Sequence, residues 1–509
     1  MGYEDFRRRR MIIILTPNRF RWVFCQLEAL RHCLPPSVRR VLDELPDTLD
    51  VTYERILKDI NKAKREHAHR LLQCLVVAVR PLRIAELGEV LAVDFGTTSG
   101  RETSKLNPDW RWEDQEQAVL STCSSLITVV GEDEDQVVQF SHFSVKEFLT
   151  SPRLADSSPD VSRFHIPLGP AHVILARACL GTLLRFDDDI DQYSVDYNFP
   201  LGRYAAEHWV KHAQFEDVSS QLREEMEILF DQDRPYFSAW VRVHDHDINI
   251  DVQQTNQDTN SGTTVQLYAN YSCQPAPPLY YAALCGFHNL AEHLVHKCSQ
   301  KVDVRGGRCI SPLSVALGRG HFKTAQLLYE HGADIDVQSA GRWTLLHASS
   351  VSGQIEVVQW LLSHGADPNS REDDDWTPLL LAANNGRLEI VRMLLQHNAD
   401  INTRSNDDQT PLHRASQKWD SDVAQLLLEY GSEINARDKN GSTPLHLASQ
   451  NQSPPEGLCP KLKDGRFEVA RLLIERGADV RAEDNKGKTP FQVASESDMV
   501  KLLSDLGAE

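Results

Sequence analysis

A phrase that returns every 33 residues constrains this 509-residue chain more than any other feature. Thr344-Leu345-Leu346-His347, Thr377-Pro378-Leu379-Leu380, Thr410-Pro411-Leu412-His413 and Thr443-Pro444-Leu445-His446 start 33 residues apart, and Thr489-Pro490-Phe491-Gln492 closes the series. Fainter copies stand upstream at Ser311-Pro312-Leu313 and Pro277-Pro278-Leu279. A second phrase keeps the step: Gly332-Ala333-Asp334, Gly365-Ala366-Asp367, Asn398-Ala399-Asp400, Gly431-Ser432-Glu433 and Gly477-Ala478-Asp479. A fixed period of this length means stacked supersecondary units. Thr caps a helix with its hydroxyl, and Pro follows at the first helical position, where its missing N–H costs nothing. Leu faces the core, and Ala382 or Ala415 lets helices approach closely. Ile355, Val358, Leu361 and Leu362 show helical spacing in the second helix, which Gly365 or Gly477 ends in the left-handed conformation. One unit cannot bury its apolar face alone, whereas about seven share a continuous core.

The period and both phrases resemble the ankyrin repeat, over about 235 of the 509 residues. The expected fold is mainly α: an N-terminal helical and winged-helix-like region, then an ankyrin solenoid at 273–509. His347, His413 and His446 are read as hydrogen-bonding within or between repeats, not as a site. The resemblance implies protein binding on the concave wall of hairpin fingers and inner helices. The finger position before each Thr, expected to be exposed, holds Ile310, Trp343, Trp376, Gln409, Ser442 and Lys488. Two Trp in neighbouring fingers would stand about 10 Å apart and suit interface anchors, the alternative being packing on their own repeats. Asp373, Asp374, Asp375, Asp407 and Asp408 make those fingers acidic, which favours a basic partner surface. Lys439, Asn440, Lys486 and Lys488 complete the candidate protein-binding residues. Thr443 to Thr489 spans 46 residues, an insertion of 13 around Gln452 to Asp464 between two helices, read as a tolerated loop with a partner contact as the alternative. The last repeat, shortened near Glu496 and Asp498, is expected to cap the stack.

Composition bounds the partners. The formal net charge of −19 argues against nucleic acid, because phosphate binding needs a basic face. No apolar run reaches the ~18 residues of a membrane span. Ten scattered Cys without a CxxC pair suit free thiols in a reducing compartment. The expected location is therefore cytoplasmic, with the nucleus as the alternative. Arg7 to Arg10 followed by five apolar residues is too short for a signal peptide and is read as an exposed start, with a nuclear address as the alternative.

Upstream of the repeats, residues 1–19 have no periodicity, and a helical pattern begins at Phe20, with Val23, Phe24 and Leu27 on one face. Long phrases follow in order: FRWVFCQLEALRHCLPPSVRRVLDELPDTLDVTYERIL, LLQCLVVAVRPLRIAELGEVLAVDF, LNPDWRWEDQEQAVLSTCSSLITVV and FSHFSVKEFLTSPRL. They resemble the part of fungal NACHT–ankyrin proteins that follows the nucleotide-binding domain. That implies a STAND-type signalling architecture: 20–60 a helical remnant after a NACHT domain, 61–155 winged-helix-like, 156–250 a helical connector and 251–272 a polar linker. Helices are expected over Glu66–Val79, Ile84–Ala92, Asp114–Leu120 and Ser144–Thr150. Strands are expected at Ser125–Val130 and Gln136–Phe140, around an acidic Gly131–Asp135 turn. Ala171–Leu184, apolar nearly all round, is expected to be buried, with Trp209, Phe230, Phe237 and Trp240 in the core. A NACHT domain needs Gly-x-x-x-x-Gly-Lys-Ser/Thr to cradle phosphates, and the sequence holds no such string, so no nucleotide cofactor is expected.

The remaining constellations fail as chemistry. Asp187-Asp188-Asp189-Ile190-Asp191-Gln192 lacks the Gly and the distal Glu of a calcium loop. Cys285, His288, His293, His296 and Cys298 do not share the convergent spacing of structural zinc. His244, Asp245 and His246 lack a partner pattern, and Ser141-His142 lacks the Gly-flanked elbow of a serine hydrolase. The expectation is a non-enzyme, without metal or cofactor, that recognises a protein. One alternative makes it part of an ATP-dependent NACHT signalling switch whose nucleotide domain lies outside this chain. A weaker one is winged-helix DNA binding, against which the acidic wing tip argues.

Overall fold

The structure, a computed structural model, is mainly helical and describes residues 49–94, 105–106, 119–120, 125–131, 136–190, 192–245, 276–298, 300–307, 311–450, 461–494 and 497–505. The expectations for 1–19, Phe20–Leu27, 251–272 and Ile310, for 114–118 of the Asp114–Leu120 helix, and for Glu132–Asp135, His246, 452–460 and Glu496 lie outside these residues. The chain divides into two units, Met1–Pro278 with Asn289–Cys298, and Leu279–His288 with Ser299–Glu509.

The first unit opens on helix Leu49–Asp59, which buries Tyr53 and Leu57, and helix Arg65–Val77, which buries Leu71, Leu72 and Leu75. Strand β1 (Leu82–Arg83) leads straight into helix Ile84–Leu91. The carboxylate of Glu86 starts that helix: it accepts from the Arg83 amide at 2.7 Å and takes Arg80 in a two-pronged pair at 2.8 and 2.6 Å. With its side chain 2% exposed, such a carboxylate is tolerated because both oxygens are hydrogen-bonded and the charge is paired with Arg80. Short strands β2 (Val93–Asp94) and β3 (Lys105–Leu106) pair. The hairpin β4 (Ile127–Val130) and β5 (Val137–Phe140) joins β1 in an antiparallel sheet of order β1-β5-β4, with Val138 at its buried centre. Helix Phe143–Leu149 follows. Helices and a two-stranded wing thus lie where the residue pattern put them, within about two residues.

The helical part of this unit is built around Leu168–Leu183, which buries side chains all round between Arg65–Val77 and Gly202–Ala213. Trp209, Phe230 and Trp240 are wholly buried and Phe237 nearly so. The Trp209 and Trp240 rings meet edge to face at 5.4 Å, and the Trp240 indole N–H donates to the Ala206 carbonyl at 3.1 Å. Polar groups cross between the helices in a chain. The Val79 amide donates to the Tyr204 hydroxyl (3.1 Å), which lies 2.9 Å from His212 Nε2, and His212 Nδ1 lies 2.9 Å from His172 Nδ1. The amide can only donate, so the phenol oxygen accepts from it, and the phenol hydrogen serves Nε2 in the tautomer that carries the His212 proton on Nδ1. Burial pushes His212 down to about 3, keeping the ring neutral.

Among the described residues of the rest of the chain are seven helix pairs, from Pro278–Leu284 and His288–His296 to Pro490–Val493 and Ser497–Asp505. Cα proximity assigns Asn289–Cys298 to the first unit. In the second unit, first helices such as Leu345–Ser352, Pro378–Asn384 and Pro411–Lys418 pack side by side through Ala382, Ala415 and Ala448. Second helices end on left-handed residues: Gly332, Gly365, Gly431, Gly477 and, tolerating the same conformation, Asn398. Behind them an Asx ladder ties each repeat to the previous one. Amides of Asp334, Asp367, Asp400, Glu433 and Asp479 donate to side chains of Asp303, Asp336, Asn369, Asn402 and Asn435 at 2.7–3.3 Å. The sixth repeat differs from expectation in one respect. Its second helix, Lys461–Glu475, runs 15 residues where its neighbours run 9, so the last part of the insertion at Gln452–Asp464 is helix and not loop.

Tyr204→Phe removes the hydroxyl while keeping the ring. It strands the Val79 amide and His212 Nε2, and is expected to lower stability by about 1–3 kcal/mol, read as a lower urea midpoint with unchanged slope.

Candidate protein-binding face

Each finger of the second unit is a tight turn closed by one backbone bond. The amides of Ser339, Glu372, Ser405, Asp438 and Asp484 donate to the carbonyls of Trp343, Trp376, Gln409, Ser442 and Lys488 at 2.7–3.1 Å. The turn needs a left-handed residue two places before Thr, supplied by Arg342, Asp375, Asp408, Gly441 and Gly487. At Gly441 a Cβ would lie 2.8 Å from the Asn485 backbone nitrogen, so only Gly fits. An acid at the turn's start caps it from within: Glu372 Oε1 accepts from the amides of Asp374 and Trp376, Asp438 Oδ1 from Asn440 and Ser442, and Asp484 Oδ1 from Lys486 and Lys488, all at 2.8–3.0 Å.

The fingers are joined to one another. Amides of Asp373, Asn406, Lys439 and Asn485 donate to carbonyls of Gly341, Asp374, Asp407 and Asn440 at 2.9–3.0 Å. Arg371, Arg404 and Arg437 each reach the corresponding carbonyl of the next finger, of Arg404, Arg437 and Glu483, at 2.9–3.1 Å. The repeat histidines hold the fingers to the helices. In His347 the Nδ1 accepts from the Thr344 amide (3.2 Å), so Nε2 carries the proton and donates to the Trp376 carbonyl of the next repeat (3.2 Å). His413 does the same between Thr410 and the Ser442 carbonyl (3.1 Å), and His446 between Thr443 and that of Lys488 (3.0 Å). Burial drives His347 and His413 down to about 4. Leu380 occupies this place in the fourth repeat, so the finger of Gln409 lacks the histidine bond.

The candidate residues lie on this row. Trp343 and Trp376 are half-buried and neither stand free nor vanish into the core; the Trp343 ring lies 5.6 Å from the His347 ring. Asp373 is exposed and paired with Arg342 (3.0 Å), Asp374 accepts from the Asn406 amide side chain (3.3 Å), and Asp407 is exposed. Gln409 is half-buried and its Nε2 lies 3.4 Å from Asp438 Oδ2. Lys439, Asn440, Lys486 and Lys488 are exposed. Ser442, expected at an exposed finger position, is instead buried, because Asp438 takes its amide and His413 its carbonyl. The sequence reading missed Arg414. Its guanidinium lies 4.3 Å over the Trp376 ring, with Nη1 3.3 Å from Gln417 Oε1 and Nε without a partner among the described residues. Burial lowers its pKa, opposed by Asp407 and Asp438. The signal was in the repeat column, where Ala348, Leu381 and Leu447 hold the equivalent place.

Other titratable groups lie apart from this face. Cys285 is buried and its thiol pushed up to about 12, far from a reactive thiolate. Among the described residues no three His, Cys, Asp or Glu side chains converge to hold a metal, and no helix is long and apolar enough to cross a membrane.

Comparison with known proteins agrees with this architecture. Ankyrin-repeat models match residues 279–372, 345–438 and 405–456, and a further one matches 440–485. A model described as the winged helix domain of GPI inositol-deacylase matches 53–159. The chain thus carries ankyrin repeats, which are protein–protein interaction modules, behind a winged-helix domain. It is 30% identical over 314 residues, 58% of its length, to the azaphilone pigments biosynthesis cluster protein L of Monascus ruber, and covers 61% of that protein.

The histidine bonds make the array sensitive to acid. An unfolded His titrates near 6.5, whereas His347 and His413 stay neutral in the fold down to about 4. Between these values only the unfolded chain takes up the proton, so stability is full above about 6.5 and falls as the pH drops toward 4, by on the order of 2–3 kcal/mol per site. His347→Leu/His413→Leu, copying Leu380, is expected to have a lower urea midpoint at pH 7.5 but a smaller loss between pH 7.5 and 5.

Proposed function

We propose that this chain is a non-catalytic recognition protein whose repeats grip a protein partner on the finger face around Trp343 and Trp376. The observation that carries this is the setting of Trp376. Its carbonyl is fixed by His347, its ring lies under Arg414, and its finger is bonded to both neighbours. An aromatic anchor already held in place loses little entropy on binding. The acids Asp373, Asp374, Asp407 and Asp408 beside it favour a partner that brings basic groups to that end.

A finer reading takes the N-terminal half as the connector of a STAND-type sensor, with 61–155 as its winged helix, 156–250 as its helical connector and 273–509 as its repeats. The order of winged-helix match, helices and repeats supports it. Ten scattered Cys without a CxxC pair support a cytoplasmic location for it.

Affinity capture from the source cells, with the intact chain and with Trp343→Ala/Trp376→Ala, tests the site. Loss of two anchors is expected to reduce recovery of the specific partner at least tenfold, on the scale of about 2 kcal/mol per anchor, at unchanged circular dichroism. Equal recovery of every partner by both proteins overturns it.

A further inference from the structure

The row of finger tips changes sign along its length. The fingers at 371–376 and 404–409 carry exposed Asp373, Asp374 and Asp407 and half-exposed Asp375 and Asp408, which outnumber the cations Arg371 and Arg404. The finger at 437–442 carries exposed Arg437 and Lys439 and that at 483–488 exposed Lys486 and Lys488 against one exposed acid, Glu483, while Asp438 and Asp484 accept from the turn amides. The backbone bonds between tips fix all four fingers in one row. Acidic and basic halves are about 20 Å apart at a helix-packing spacing of about 10 Å per repeat. That exceeds the Debye length of about 8 Å at physiological salt, so the halves do not neutralise each other.

A row that is acidic at one end and basic at the other is complementary to itself turned around. We propose that the finger row docks against the finger row of a second copy of this chain, antiparallel, about a two-fold axis between the fingers at 404–409 and 437–442. This rests on the reading of the finger face as the binding surface and names its partner. Such an isologous contact uses the same patch on both copies. It sets Asp374 opposite Lys486 and Asp407 opposite Lys439. Lys488 then faces Trp376, whose ring already takes one cation, Arg414, on its face; aromatic faces attract such cations. The formal net charge of −19 repels two copies at long range, so moderate salt, which screens that repulsion, favours the contact more than very low salt does.

Charge reversal in two variants tests this without an identified ligand. Asp374→Lys/Asp407→Lys places positive charge opposite Lys486 and Lys439 of the second copy, and Lys439→Glu/Lys486→Glu places negative charge opposite Asp407 and Asp374. Light scattering coupled to size exclusion is expected to give the full chain twice the chain mass and each variant alone the monomer mass. An equimolar mixture of the two variants is expected to return to the dimer mass, which also shows that both are folded. A monomeric wild type, variants that still dimerise alone, or a mixture that stays monomeric each overturns the proposal. If the wild type is monomeric while Trp343→Ala/Trp376→Ala still loses a captured partner, the finger face stands as a binding surface and only self-docking falls.

Discussion

The second unit depends on a neutral imidazole buried between repeats. Each repeat His accepts from the Thr that opens its own helix and donates to a finger carbonyl of the next repeat. A charged ring would place a second donor against the Thr amide inside a site that water does not reach, so the interaction exists only in the neutral form. It joins the cap of a helix, the stacking of repeats and the position of a finger in one side chain. Other inter-repeat bonds, the Asx ladder and the Arg-to-carbonyl series, lie at the surface, where net contributions are smaller.

This arrangement explains why the face is rigid while carrying little regular structure. Fingers are turns, and turns on a surface are ordinarily mobile. Here each is closed on itself and bonded to the next, and three are capped by an internal carboxylate, so that side chains differing from repeat to repeat stand on a common backbone. The scaffold and the specificity are thereby separated. Buried Thr, His and Leu repeat because each repeat must fit its neighbour, while tip residues vary because nothing inside the array depends on them.

How much was legible follows the same division. Thr410 and Pro411 announce a helix start, Gly365 a helix end and His413 an internal bond, because each does its work within its own repeat or against the next, and the period displays it. Tip residues were placed by the same register. What the register hid was direction and burial. Ser442 looks like a surface residue until the Asp438 carboxylate and the His413 ring both claim its backbone. Arg414 falls in a column of Ala and Leu, and only the fold shows that this column's polar member reaches the Trp376 ring from the neighbouring repeat. In the first unit the chain from Val79 to His172 was invisible, since its bonds join residues up to 125 positions apart with no periodicity to mark them.

The departures from the repeat are coupled to one another. The turn between the two helices of a repeat is left-handed and held by Gly286, Gly320, Gly353 and Gly386, but in the fifth repeat by Trp419, at φ 59°. A bulky residue there costs about 1 kcal/mol or more in backbone strain, which something nearby must offset. The long second helix of the sixth repeat lies against it. Gly465 brings that helix so close that a Cβ would sit 2.8 Å from the Trp419 carbonyl, and the buried Arg466 places its guanidinium 5.8 Å from the indole. The neighbours' nine-residue helices have no counterpart to the turn that carries Gly465. Trp419 and the helical end of the insertion therefore form one change distributed over two repeats: the extra turn gives the Trp a surface to pack on, and the Trp gives the extra turn an apolar floor. An insertion anchored in this way has its helical end fixed to the solenoid.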